Sequence, residues 1–215
     1  MPFIFPAWKA LLRGSFSEES EKMQFFQGIF SHLPVLETER LILRPLSMKD
    51  AEDMYAYSRD PEVSRTVLWS AHENIRQTRL FLRAAISQYK RGLPASFAIV
   101  LRDSGRMIGT VGFMWVNTDH KSAEVGYSLS RDYWNQGIMT EALKKVVAFG
   151  FEELRLNRIE AQHQLDNPAS GRVMLHVGMQ YEGTLRQRLN NKGRYVDVAL
   201  YAILRSDWRS KIYGY

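Results

Sequence analysis

Residues 133–143, Tyr133-Trp134-Asn135-Gln136-Gly137-Ile138-Met139-Thr140-Glu141-Ala142-Leu143, constrain this chain more than any other stretch. Strand-like sequence precedes them, and a turn with a single glycine runs directly into an amphipathic helix. Met139, Ala142, Leu143, Val146 and Val147 recur at the spacing of a core-facing stripe. The first N–H groups of a helix have no partner within it and point outward together. They sit at the positive end of the helix dipole, so a diphosphate can dock there without a cationic side chain. The segment reads as a holder for a nucleotide-type ligand.

The surrounding pattern is mixed α/β. Residues 1–35 stand apart as an aromatic-rich extension, partly helical over about Glu18 to Phe30, where Lys22, Phe25, Phe26 and Ile29 fall at helical spacing. Its aromatic side suits packing against the body or a dimer partner. Residues 36–210 form the main domain. There Arg40 to Leu46 reads as a strand, and Ser47-Met48-Lys49-Asp50 opens a helix with a capping serine and an acid at the third helical position. That helix runs to about Ser58, and Pro61 breaks the chain. A longer helix is expected from about Glu73 to Arg91, stopped by Gly92 and Pro94.

Two strands, Ser96–Leu101 and Met107–Trp115, flank the turn Asp103-Ser104-Gly105, and a third covers Ala123–Leu129. Beyond the Gly137 helix, Arg158 to Leu165 reads as a strand. Asn167-Pro168 opens a shorter helix that closes at Gly178. Two last strands surround Asn190-Asn191-Lys192-Gly193. The order β-α-α-β-β-β-α-β-α-β-β describes one mixed sheet in a single domain, of a size that 215 residues can fill with a real core.

Composition removes several classes of chemistry. The absence of cysteine excludes disulfides, thiolate catalysis and cysteine-based zinc sites. The five histidines, His32, His72, His120, His163 and His176, show no metal-ligand spacing, so no metal is expected. The net charge of +6 suits an anionic cofactor or ribosomal surroundings. Lys and Arg are scattered without a run of five, so nucleic acid is not the expected ligand. No apolar stretch approaches the roughly 20 residues that span a bilayer, and the N-terminus does not read as a signal peptide. A cytoplasmic protein without a membrane partner is expected.

The ordered set Glu39-Arg40-Leu41-Ile42-Leu43-Arg44-Pro45, Gly126-Tyr127-Ser128-Leu129, Trp134 to Ala142, Asn167-Pro168-Ala169-Ser170, Val196 to Tyr201 and Asp207-Trp208 resembles the GNAT superfamily of N-acetyltransferases. Within it the set is most similar to the RimJ/RimL group, which includes ribosomal-protein N-terminal acetyltransferases. The similarity runs from about Leu36 to Trp208. It implies the GNAT acyl-CoA N-acyltransferase fold and acetyl-CoA as co-substrate. The backbone N–H groups of Gln136, Gly137, Ile138, Met139 and Thr140 would hold its pyrophosphate. Leu129 and Ser130 would face the pantetheine, and Asn167 would cap its helix and bond a pantetheine amide. Trp134 and Met139 depart from the Arg/Gln and Gly/Ala usual in the superfamily, so the cradle rests on backbone more than on side chains.

Acetyl transfer needs a neutral amine and benefits from protonation of the departing thiolate. Many superfamily members carry a tyrosine seven residues after the helix-opening Asn; here Met174 stands there and cannot donate a proton. Ser170 matches the serine proposed as the acid in the RimL-like group. Glu124 and Glu160, on neighbouring strands, are the candidate bases, with Glu124 preferred because its strand leads into the cofactor turn. His163, which shares a face with Ile159 and Ala161, is a lesser rival. Direct attack also serves, because an N-terminal amine with a pKa of about 8 is partly neutral at cellular pH. Trp69, Trp115, Tyr127 and Tyr195 are candidates for the acceptor groove. The implied acceptor is a protein N-terminal amine, a ribosomal protein among the candidates. A small amine and a non-catalytic ribosome- or RNA-binding module are the alternatives.

Overall fold

Residues 20–208 are described by the computed structural model. Helix α1 covers residues 20–31. It leads into β1 (Leu36–Glu37) and β2 (Leu41–Pro45), followed by α2 (Ala51–Ser58), α3 (Pro61–Ser64) and α4 (Ile75–Lys90). Then come β3 (Ser96–Leu101), β4 (Met107–Asn117), β5 (Ser122–Leu129) and α5 (Ile138–Glu152). The chain closes with β6 (Arg158–Gln164), α6 (Pro168–Val177), β7 (Gln180–Asn191), β8 (Arg194–Leu204) and a helical turn at 205–208.

The local chemistry explains the helix starts. Ser47 accepts the N–H of Lys49 while Asp50 reaches back to the N–H of Ser47, a capping box over the short 3₁₀ turn Met48–Asp50 that runs into α2. Asn74 caps α4 through its side-chain oxygen. Pro61 opens a helix instead of only interrupting one: it occupies the first turn of α3, where its missing N–H costs nothing, and Asp60 caps that turn. Strand β1 and helix α3 are absent from the sequence-based order, both being too short for periodicity to reveal.

Eight strands form one sheet in the order β1-β2-β3-β4-β5-β6-β8-β7. All neighbours are antiparallel except β5 and β6, which are parallel. One face is covered by α1, α5 and α6. Phe149 of α5 meets Phe97 and Phe113 edge-on or tilted, and Phe30 of α1 meets Phe113. The stripe Met139, Ala142, Leu143, Val146 and Val147 is buried against this face. On the other face Tyr57 of α2 reaches Thr110 and Ser128.

The β5–β6 pairing is brief. Ser122, Ala123 and Glu124 lie beside Arg158, Ile159 and Glu160, and no register continues beyond them. A bulge in β4 between Phe113 and Trp115 sits beside Val125 and Glu124, where this pairing stops. A bulge increases local twist, so β5 turns away from β6 and the sheet opens into a fork. Helix α5 follows β5 and α6 follows β6, so both helix N-termini flank the open end.

Residues 1–19, with the expected helix start at Glu18, lie outside the described residues, while residues 20–35 of the extension pack into the core. Phe26, Phe30 and Leu33 are buried, and the close approach of Gln27 leaves no room for a side chain at Gly92. Phe30→Ala is expected to cost about 3–5 kcal/mol of stability, measured by denaturant unfolding.

Candidate active site

The turn before α5 has unusual backbone geometry. Asn135 and Gly137 both have positive φ, 58° and 74°. Left-handed backbone is cheap for glycine and tolerable for asparagine, which accounts for these two residue types here. The first helical bond closes from Glu141 N–H to the Gly137 carbonyl at 3.0 Å. Ahead of it, the N–H groups of Gln136, Gly137, Ile138, Met139 and Thr140 have no acceptor among the described residues. The sequence predicts unpartnered N–H groups at this helix start, and the backbone leaves these five so. Trp134 has its own use: its indole N–H donates to the Leu129 carbonyl at 2.9 Å and fixes the end of β5 to the turn. Met139 points into the core.

A brace that the sequence did not reveal holds the cradle. The Glu141 carboxylate accepts from Thr38 Oγ1 (2.6 Å), Arg40 N–H (2.9 Å) and Arg40 Nε (2.6 Å). Arg40 Nη1 in turn donates to the Gln136 carbonyl at 3.0 Å. Burial pushes the Glu141 pKa up, but these hydrogen bonds outweigh it and leave it below the ordinary glutamate value. The one hint in sequence was an acid in the first turn of the helix, where the dipole favours it. Nothing local says that it reaches a residue 101 positions away.

On the other side of the fork, Asn167 caps α6. Its oxygen takes the Ser170 N–H at 3.4 Å, and its amide nitrogen donates to Ser170 Oγ (3.0 Å) and Thr66 Oγ1 (2.9 Å). Ser170 Oγ therefore accepts from Asn167 while its own proton stays available. Tyr127 crosses the gap from β5, donating its hydroxyl to the Ser170 carbonyl at 3.0 Å. Burial raises the Tyr127 pKa, so the phenol stays protonated at neutral pH. Met174 is buried in the core, with no way to act at the fork. The Ser130 N–H is turned toward the Ile108 carbonyl, and the Leu129 carbonyl is used by Trp134. Ahead of Leu129, the edge of β5 on the side of β6 has no strand partner.

The candidate bases lie on the opposite face. Alternation puts Val125 and Ile159 toward α5, so Glu124, Glu160 and Gln162 face the side of α2. Glu124 accepts Trp115 Nε1–H at 2.8 Å and Gln162 Nε2–H at 3.0 Å, one donor from each side of the fork. Glu160 is committed to Arg158 (2.9 Å), which also makes a two-pronged pair with Glu182 at 2.8 and 2.6 Å. His163 lies on the α6 face, apart from both carboxylates. Its Nδ1 bonds the Gln164 carbonyl at 2.8 Å, and its buried Nε2 points at Gly171, where a Cβ would come within 2.6 Å.

The four groove aromatics separate. Trp115 stands beside Glu124, and Trp69 packs on His72 beside the Thr110–Ser128 cleft. Tyr127 belongs to the α6 side of the fork, while Tyr195 is exposed near the tip of the β7–β8 hairpin.

Comparison with known proteins agrees with this architecture. The acetyltransferase (GNAT) domain family matches residues 40–180. An uncharacterized N-acetyltransferase, YoaA of Bacillus subtilis (strain 168), is 39% identical over 174 residues, 80% of this chain and 97% of the relative. The ribosomal-protein-serine acetyltransferase of Escherichia coli (strain K12) is 32% identical over 125 residues, covering 58% of this chain and 69% of that one. Among solved structures, a GNAT-family acetyltransferase from Bacillus anthracis has a TM-score of 0.72 at 28% identity, covering 80% of this chain and 99% of that chain. The chain belongs to the GNAT acetyltransferase family.

Gly137→Ala forces a Cβ into left-handed backbone and is expected to cost about 1–2 kcal/mol of stability. The loss of CoA affinity in calorimetry should be about tenfold. The Glu141 brace has its own pH signature. Because the folded pKa is lowered, its stabilisation is complete above the unfolded value of about 4.3 and is lost as pH falls through the folded value. Melting temperatures of wild type and Glu141→Gln should therefore differ at pH 6 and converge toward pH 3.

Proposed function

We propose that the protein is an acetyl-CoA-dependent N-acetyltransferase of the RimJ/RimL kind, residues 36–210 forming its catalytic domain, and that its acceptor is a protein N-terminal α-amine. The observation that carries this reading is the fork itself. A free helix N-terminus flanks its open end on the α5 side, and a fixed carboxylate, Glu124, faces the other side. A thioester reaching in from the α5 side and an amine approaching Glu124 would meet through the gap. The similarity to the E. coli ribosomal-protein-serine acetyltransferase supports a protein acceptor.

In this reading the N–H groups of Gln136 to Thr140 take the pyrophosphate, and the unpaired edge of β5 lines up the pantetheine as an added strand would. Asn167 bonds a pantetheine amide from the α6 side. Glu124 receives the proton of the incoming ammonium, directly or through one water. The neutral nitrogen then attacks the acetyl carbonyl, forming the C–N bond; the C–S bond breaks, and the proton shed by the new amide nitrogen passes to the departing sulfur, directly or through water, so that CoA leaves as the thiol. Ser170, with its lone pair engaged by Asn167, turns its O–H toward that sulfur and stabilises the developing charge as a hydrogen-bond donor. Glu160, bound to Arg158, shapes the acceptor face and is the weaker candidate for the base.

Acetylation of a small amine such as a polyamine is the second reading, favoured by Glu124 and Glu160 lying side by side on β5 and β6. Thiol release from acetyl-CoA with a library of N-terminal peptides, run beside polyamines and amino acids, separates the two. The expected result is turnover on peptides with a free α-amine. CoA binding without turnover on any amine would sink the enzyme reading and leave a binding module. Glu124→Gln should lower kcat/KM about a hundredfold, and Ser170→Ala should lower kcat about tenfold, with CoA affinity little changed. Unchanged turnover in folded Ser170→Ala removes that residue from the mechanism.

A further inference from the structure

β7 is the outermost strand, so one edge of its backbone has no sheet partner among the described residues. Between residues 186 and 195 the β7–β8 hairpin carries Arg186, Arg188, Lys192 and Arg194, with no Asp or Glu in that span. All four are exposed. Lys192 is held at the Ser64 carbonyl, 2.5 Å away. The three arginines have no carboxylate partner among the described residues. Asp197 lies opposite the bulge formed by residues 186–188, but its Oδ1 accepts the Gln187 N–H at 2.8 Å and it pairs with neither flanking arginine. The positive charge of this hairpin is thus not neutralised locally.

Its position relates it to the acceptor face. The tip is tied to α3 and the residue after it, through Lys192 to Ser64 and Asn191 to the Arg65 carbonyl at 3.3 Å. From Glu124 a row runs through its bond to Gln162, then to Leu200 and Gly183 on successive strands. Two strand spacings are about 10 Å, and Arg186 and Arg188 stand roughly 10 Å farther along β7. An extended peptide advances about 3.3 Å per residue, so with its amine at Glu124 it would bring roughly its fifth to seventh residues to these arginines.

We propose that the β7–β8 hairpin is a docking arm for an acidic peptide segment lying a few residues behind the acetylated N-terminus of the acceptor. This inference rests on the acetyltransferase reading above. A peptide is the ligand favoured over RNA because the open edge of β7 presents N–H and C=O groups that pair with an extended peptide backbone. The arginines then select side-chain charge, and Glu124 selects the amine.

The test compares two decapeptides with the same first three residues, one with Asp or Glu at positions five to seven and one with Gln there. Wild type should show a KM about tenfold lower for the acidic peptide at low salt, with the advantage shrinking at high salt. In the R186S/R188S/R194S variant the two peptides should become equal, with turnover of the neutral peptide retained. Equal KM values in wild type, or a preference that survives in the variant, would overturn the proposal. Equality in wild type would leave the arginines only the role of keeping an exposed edge from aggregating. Anisotropy of the acidic peptide with its N-terminus already acetylated, and of a short single-stranded RNA, reads the arm without turnover. Arginine-dependent binding of the peptide supports the arm even if no amine is ever acetylated, in which case the enzyme reading alone has failed. Arginine-dependent binding of the RNA, with the peptide unbound, overturns it.

Discussion

The parting of β5 from β6 after three residues organises the rest of the molecule. A parallel pair in the middle of a sheet would ordinarily bury both strands along their length. Here the β4 bulge next to Glu124 twists β5 away, and the backbone beyond it loses its partner. Unpaired backbone at the centre of a fold is costly unless something bonds to it. The protein meets part of this demand itself, with the Trp134 indole on the Leu129 carbonyl and the Tyr127 hydroxyl spanning to α6. What remains is a slot flanked by two helix N-termini, with unpartnered backbone N–H groups at the start of α5.

Long-range polar ties keep that slot in shape. Glu141 and Arg40 join the start of α5 to the turn before β2, so the cradle is held from outside its own helix. Asn167 and Gln164 both bond Thr66, which anchors α6 and the end of β6 to the segment after α3. Lys192 and Asn191 tie the β7–β8 hairpin to the end of α3 and the residue after it. The side of the fork that Glu124 faces is therefore walled by pieces drawn from three distant parts of the chain. The two glutamates also differ in their partners: Arg158 engages Glu160, while Glu124 accepts only from the neutral donors of Trp115 and Gln162.

Much of the fold was legible because its signals are local. The apolar stripe of α5, the capping serine before α2, the Asp103-Ser104-Gly105 turn and the Asn167-Pro168 start of α6 each act within a few residues. Strand β1 and helix α3 were not, being shorter than one period of the pattern that would disclose them. Pro61 carried two meanings, helix breaker and first-turn residue, and only the Asp60 cap beside it resolves which applies. In the site, the Gly137 turn and the Asn167–Ser170 pair could be read because helix starts have their own chemistry. The Arg40–Glu141 brace could not, since neither residue is unusual in its own neighbourhood.

The sequence alone determined the mixed α/β class, the order of most elements, the glycine turn with its unpartnered N–H groups and the family resemblance. Each depends on periodicity, capping or conformational preference, which act at short range. The tertiary structure decided which face each side chain serves. It placed Glu124 between Trp115 and Gln162, assigned Glu160 to Arg158, turned His163 toward α6 and brought the arginine-bearing hairpin against α3. Those outcomes depend on strand register and on where the twist opens the sheet. Such constraints join residues tens to more than a hundred positions apart, and no short-range signal encodes them.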